Sequence, residues 1–264
     1  MKGIVLLRRL LLGFFALTEF IALVCFLTPL TFPSFLLPLS TVAMLGVALL
    51  HASQRYGWLR AALFWALTTL LTMLLEAVGV YTGWIYGPYH YTTKLGPRFL
   101  GLVPYLIPAA WFMALYPATV VAERALPRPW PPRRQRWVLP LLAGMIMTAW
   151  DLVMDPMMTA YRHWVWEAKG AYFGIPLHNF AGWWLTTVLV VGSFLALVSP
   201  PVPHSHPDDR EAVLAYGLIG LGNVIHAAAL GLPGPALVGL FAIAPWVWLG
   251  WWGLRGEEEA TTSA

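Results

Sequence analysis

The chain has 264 residues and a formal net charge of +4; 59% of it is Ala, Val, Ile, Leu, Met, Phe, Trp, Tyr or Cys, and only 11% is charged. An ordinary soluble domain carries roughly 25% charged residues, so a water-soluble enzyme is excluded, as are disorder, collagen, a coiled coil and a disulfide scaffold built on the single Cys25. What remains is an all-α polytopic transmembrane helix bundle, read as one domain over residues 1–264.

A helix needs about 20 apolar residues to cross the hydrocarbon. In chain order, eight stretches qualify: 10–28, 34–51, 59–81, 102–122, 137–156, 178–198, 212–230 and 234–253. The first follows Lys2, Arg8 and Arg9 like a signal peptide, but its length and the lack of a small-residue cleavage site predict a retained helix. With the N-terminus inside, 12 of the 16 Lys and Arg fall in inner segments, and only Lys94, Arg98, Arg162 and Lys169 fall outside. The positive-inside rule then predicts two cytoplasmic termini in a multi-pass protein of the inner cell membrane. The basic, proline-rich stretch from Arg124 to Arg136 reads as an inner loop against anionic headgroups, not as a nucleic-acid site. No internal repeat stands out, and the oligomeric state stays open, with a homo-oligomer compatible.

Two outer segments, about 82–101 and 157–177, are longer than the connections usual in helix bundles. They are dense in aromatics and glycine: Trp84, Tyr86, Gly87, Tyr89 and Tyr91 in one, Tyr161, Trp164, Trp166, Gly170, Tyr172 and Gly174 in the other. An interfacial aromatic belt explains Trp and Tyr at this level. It does not require glycine and proline at fixed offsets, so these loops are expected to carry function.

Ionisable side chains inside a span are costly and mark function by default. They are Glu19, Glu76, Asp151, Asp155 and His226. Glu76 lies about 8 Å below the outer end of its span. Asp155 is one turn above Asp151, so both carboxyls share a helix face. Pro156 is expected to end that helix. His178 and Asn179 open the next span at the same level. Simpler roles exist for some: Asn179 as a helix cap, His178 as an interfacial anchor, and His226 with Asn223 as an interhelical hydrogen-bonding pair. Three carboxyls at one depth repel if all are ionised, so at least one is expected to stay protonated as a general acid. A metal held by carboxylates and His178 is a weaker alternative, and no metal is assigned. No HExxH, histidine-rich box, Walker loop, GxGxxG or GxSxG is present.

Two stretches carry a family resemblance. The first is Glu76-Ala-Val-Gly79-Val-Tyr-Thr-Gly83-Trp84-Ile-Tyr86-Gly87-Pro-Tyr89-His-Tyr91, with Leu95-Gly96-Pro97 and Val103-Pro104. The second is Asp151-Leu-Val-Met-Asp155-Pro156-Met157, Trp164-Val-Trp166 and Gly170-Ala-Tyr172-Phe-Gly174-Ile-Pro176-Leu-His-Asn179-Phe-Ala-Gly182-Trp183. Together they resemble the integral-membrane carotenoid 1',2'-hydratases (the CruF type), which include the haloarchaeal bisanhydrobacterioruberin hydratases. The resemblance covers roughly residues 60–190, and Tyr86 stands where Phe is expected.

The resemblance implies addition of water to the terminal double bond of an acyclic ψ-end, in lycopene, γ-carotene or a related pigment. No redox cofactor is implied. Chemistry then suggests roles. Asp155 is expected to donate the proton, Asp151 or Glu76 to keep the cluster protonated or orient water, and His178 and Asn179 to position that water. Aromatic faces would stabilise the tertiary cation. The candidates for substrate binding are Trp84, Tyr86, Tyr89, Trp164, Trp166, Tyr172 and Trp183. The polyene is expected to enter from lipid. The alternatives are a proton-coupled transporter or lipid-binding membrane protein, or another enzyme of carotenoid or isoprenoid modification.

Overall fold

The computed structural model describes residues 2–126, 132–198 and 206–262, except the side chains of 132–135 and 256–262. The proline-rich stretch with Arg128, and the side chains of Arg133 and Arg134, thus lie outside the described residues. Eight helices form among those described: α1 (Lys2–Leu27), α2 (Leu36–Tyr56), α3 (Trp58–Thr82), α4 (Ile107–Ala125), α5 (Pro132–Ala160), α6 (Leu177–Leu197), α7 (Asp209–Ala229) and α8 (Pro233–Thr262). Seven of them are long and apolar enough to cross a membrane. The exception is α4, which forms the centre of the bundle and packs against α2, α3, α5, α7 and α8. Between Ile107 and Ala122 every residue except Ala110 and Met113 is buried. A helix walled by protein on all sides does not need the hydropathy that lipid contact demands. The start of α1 and the last described side chains of α8 lie at the same end of the bundle, since Arg8 meets Glu211, Arg124 meets Asp209, and Gly253 sits against the Arg124 carbonyl.

Several expected boundaries move. The span expected from residue 10 is a helix from Lys2, which carries Arg8 into the interior at 0% exposure. The span expected from 102 starts at Ile107, because Val103–Pro104 pairs with Arg98–Phe99 as a short ribbon. The fifth helix runs through Pro156 to Ala160 instead of stopping there. A proline has no N–H to give to the carbonyl four residues back. The Tyr172 hydroxyl makes up the loss by donating to the Leu152 carbonyl at 2.7 Å, so the freed acceptor is not left unmet.

The two long connections are not irregular. Tyr89–Tyr91 (β1) pairs antiparallel with Trp164–Trp166 (β4), in the register Tyr89 with Trp166 and Tyr91 with Trp164. One ribbon therefore ties the α3–α4 and α5–α6 connections over the end of the bundle. Arg98–Phe99 (β2) and Val103–Pro104 (β3) make a second small ribbon beside it.

The opposite end is fastened by charge. Arg8 donates to Asp208 at 2.8 Å and also to Glu211 and Gln54. Arg124 donates through Nε to Asp209 at 2.8 Å, and Arg55 pairs with Glu123. The His51 ring meets the Tyr116 hydroxyl at 2.6 Å. These contacts join the same ends of α1, α2, α4 and α7, and Asp209 is fully buried. A buried ion pair adds little net stability, but breaking one partner strands a charge.

Two tests follow from this frame. Arg124→Met takes both side-chain hydrogen bonds from Asp209 and leaves it the longer ion pair with Arg55 at 3.4 Å, and is expected to lower stability by about 3 kcal/mol, read as a drop in melting temperature in detergent; an unchanged melting temperature contradicts the network. At the ribbon end, burial pushes His163 down to about 4 from 6.5, with Lys94 adding to the effect. Above 6.5 both folded and unfolded chains hold it neutral. As pH falls from 6.5 towards 4 only the unfolded chain takes the proton, and that stability is lost. His163→Phe is expected to melt with a shallower fall over that window than the parent protein.

Candidate active site

The two-stranded ribbon determines the site. Residues two apart in a strand face the same side, so Tyr89 and Tyr91 of β1 and Trp164 and Trp166 of β4 all point into the bundle. Each strand serves one carboxyl. The hydroxyls of Tyr89 and Tyr91 both donate to Glu76 Oε2, Tyr91 at 2.9 Å, and the Trp111 indole N–H donates to Oε1 at 3.1 Å. Burial, and then the Glu76 carboxyl beside them, hold both phenols well above the usual tyrosine range, so they act as neutral donors. On β4, the Trp164 and Trp166 indoles donate to Asp155 Oδ1 at 2.7 and 3.3 Å, joined by Thr159 at 3.1 Å.

The second Asp155 oxygen meets α6. Asn179 Nδ2 donates to Asp155 Oδ2 at 2.7 Å and to Asp151 Oδ2 at 2.9 Å. One amide therefore bridges the two carboxyls that the one-turn spacing places on the same face of α5. Asn179 lies inside α6 and does not cap it; the residue before the helix is Pro176. Asp151 Oδ1 is buried with no hydrogen-bond partner. Asp155, Glu76 and Asn179 line a cavity of about 730 Å³, whereas Asp151 stands behind them.

The cavity wall near the carboxyls is aromatic. Trp111 and Trp183 stack at 3.9 Å between centroids, and Trp150 meets Trp183 edge-on at 5.7 Å. Trp164 and Trp166 complete the wall with Tyr86 and Tyr89. Tyr86 is held between two glycines. A Cβ at Gly79 would lie 2.6 Å from its ring, and one at Gly182 would lie 2.5 Å from the Ile85 carbonyl and 2.6 Å from the ring. The Tyr86 hydroxyl meets Thr186 at 2.8 Å.

Three expected members lie elsewhere. His178 is exposed and lines no part of the cavity, since it sits one position before Asn179 on α6 and faces the Gly87 turn. Trp84 is 82% exposed. Tyr172 is occupied by the Leu152 carbonyl behind the site. Glu19 and His226 also line the cavity, with His226 Nδ1 3.7 Å from Glu19 Oε2. The interhelical hydrogen bonds expected of His226 and Asn223 do not form among the described residues: Asn223 Nδ2 is buried without a partner, and His226 stops 3.7 Å short of Glu19.

Sequence reasoning missed Trp111, Trp150 and Tyr91 as members of the site. Tyr91 was findable, because strand alternation pairs it with Tyr89. Trp111 and Trp150 sit in spans with no local motif, and only the tertiary fold brings them in. One further trio, His51, His206 and Asp209, has ligand atoms within 4.8 Å of one another. Asp209 there is already paired with Arg124 and lies 3.4 Å from Arg55, and His51 Nε2 meets the Asp208 carbonyl at 3.0 Å. These contacts place the trio within the ion network of the basic end.

Known proteins match this chain in two comparisons. A family model described as carotenoid biosynthesis protein matches residues 32–245. A bisanhydrobacterioruberin hydratase of Haloarcula japonica is 34% identical over 132 residues, which is 50% of this chain and 44% of the relative's length. The chain thus aligns with less than half of that relative. No solved structure matches. The matched span holds Glu76, the ribbon, both aspartates and Asn179, and the chain belongs to the carotenoid biosynthesis protein family.

Proposed function

We propose that this protein hydrates the terminal double bond of an acyclic carotenoid end, as in lycopene, γ-carotene or a related pigment. The observation that carries this reading is the pair Asp151 and Asp155 meeting at one neutral amide, with Asp155 on the wall of an aromatic cavity. Two carboxyls joined through a single amide repel when both are ionised, so the pair retains a proton. An isolated trisubstituted alkene is hydrated by strong acid, and a carboxylic acid in a dry, apolar site delivers its proton without low bulk pH.

The step balances. Asp155 gives its proton to C2' of the alkene, and the π electrons form the new C–H bond. The positive charge falls on the tertiary C1'. Water adds there through oxygen, and the proton it sheds returns to the aspartate pair. Glu76 faces the same space with its oxygens held by Tyr89, Tyr91 and Trp111, which suits it to orient that water. The faces of Trp111, Trp183, Trp164 and Trp166 stabilise the cation without trapping it, by about 2 kcal/mol or more each when desolvated. The indole bonds from Trp164 to Asp155 and from Trp111 to Glu76 fix ring directions. In this reading the basic end of the bundle faces the cytoplasm, and no redox cofactor takes part.

Expression in a host that makes an acyclic carotene is expected to yield a pigment heavier by one water; unchanged pigment, with the protein present in the membrane, contradicts the reading. Asp155→Asn is expected to abolish product while leaving the protein folded, and retained turnover removes Asp155 from the role of acid. Asn179→Leu is expected to lower kcat on the order of a hundredfold and to move the pH–rate profile, because neither carboxylate then receives the amide; a lowered kcat with an unmoved profile assigns Asn179 to packing alone.

A further inference from the structure

Hydration consumes one water in each turnover, yet the wall beside the acids is aromatic. In the two connections at the ribbon end, Lys94, Tyr161 and His163 also line the cavity. They stand apart from the donors that hold Glu76 and Asp155. Lys94 is exposed, whereas Tyr161 and His163 are half-buried. This stretch of wall therefore reaches the surface of the protein.

The backbone here is fixed by the facing connection. The Thr92 N–H donates to the His163 carbonyl at 2.9 Å, and the Thr92 hydroxyl to the Arg162 carbonyl at 2.8 Å. The Lys94 ammonium donates to the Tyr161 carbonyl at 2.8 Å. The His163 N–H donates to the Met158 carbonyl at 3.0 Å. Arg162 has φ 57°, a left-handed conformation strained for a residue with a Cβ, and such strain gathers at functional sites. The residues on either side of that turn, Tyr161 and His163, both line the cavity, with ring centroids 6.1 Å apart.

His163 is thus bonded at its backbone N–H and carbonyl, but its ring is not. Nδ1 is buried without a hydrogen-bond partner among the described residues. Burial, and then Lys94, hold the ring neutral at neutral pH, so it carries one N–H and one lone pair. A hydrocarbon gives a buried ring nitrogen nothing. A water can donate to one ring nitrogen and keep two acceptor lone pairs and a second donor. His163 also precedes Trp164, whose indole holds Asp155.

We propose that His163 binds, through Nδ1, the water that is added to the alkene. The inference rests on the hydratase reading and adds to it the group that receives the water. With water held there, the cation formed when Asp155 protonates C2' is captured at C1'. Without it, the cation returns a proton to the aspartate carboxylate and the alkene re-forms. In deuterium oxide that return leaves a label: one C–D bond is made, one C–H bond is broken, and no oxygen is added.

The test uses the purified full chain in detergent, with an acyclic carotene in deuterium oxide. The parent protein is compared with His163→Phe, His163→Asn and His163→Gln. Mass spectrometry reads the rate of hydrated product and the rate at which deuterium enters recovered carotene. The parent is expected to hydrate with little exchange. His163→Phe is expected to lower hydration about a hundredfold while exchange persists, so the ratio of exchange to hydration rises, and carotene binding, read by quenching of tryptophan fluorescence, is unchanged. His163→Asn, whose amide oxygen can stand in for Nδ1, is expected to restore most of the hydration. His163→Gln, whose amide reaches nearer the position of Nε2, is not. If His163→Phe does not fold, the Asn and Gln variants decide by the same ratio. An unmoved ratio, whether both rates fall together or neither falls, overturns this site and keeps the hydratase reading. A parent protein that neither hydrates nor exchanges overturns the hydratase reading and this site with it.

Discussion

A carboxyl inside a membrane bundle must be given hydrogen-bond donors by the protein, because neither lipid nor bulk water supplies them. The rest of this structure follows from how that demand is met. Two strands of three residues each, Tyr89–Tyr91 and Trp164–Trp166, present alternate side chains inward. The tyrosines reach Glu76 and the tryptophans reach Asp155. These four side chains thus both donate to the carboxyls and line the cavity.

The bundle separates two kinds of polar interior. At the basic end, arginines are matched by carboxylates, and charge is cancelled in place between α1, α2, α4 and α7. At the ribbon end, Glu76, Asp151 and Asp155 meet only neutral donors among the described residues: phenols, indoles, a hydroxyl and an amide. Matched ion pairs stiffen a frame but have no proton to offer. Carboxyls held by neutral groups remain able to gain and lose one. The proposed chemistry therefore falls at the end whose carboxyls meet neutral donors, away from the ion pairs of the other end.

Much of this was readable from residue order. Composition alone demanded a helical membrane bundle, and a one-turn separation placed Asp151 and Asp155 on a common face. The period-two pattern of Tyr89 and Tyr91, and of Trp164 and Trp166, lay inside segments that looked like irregular loops, because strands of three residues are too short to give a periodic signal. Pro156 misled for a physical reason. A proline removes one helical hydrogen bond and crowds the preceding turn, yet α5 runs through both Pro140 and Pro156, and Tyr172, distant in sequence, meets the carbonyl that Pro156 leaves without a donor. Arg8, read from the sequence only as a charge ahead of the first span, is buried inside α1, because Asp208 and Glu211, distant in sequence, arrive to pair with it. Trp111 and Trp150 had no local cue at all, since intramembrane tryptophans look alike until the fold shows which face the acids.

The fold places Glu76 and Asp155 on the wall of an aromatic cavity of about 730 Å³. The most direct measurement is the isotopic origin of the atoms added. Turnover of an acyclic carotene in heavy-oxygen water made up in deuterium oxide should give a tertiary alcohol whose oxygen comes from solvent, with one deuterium on the carbon next to the carbinol. An oxygen that comes from dioxygen, or a product without that deuterium, would contradict protonation followed by capture of water.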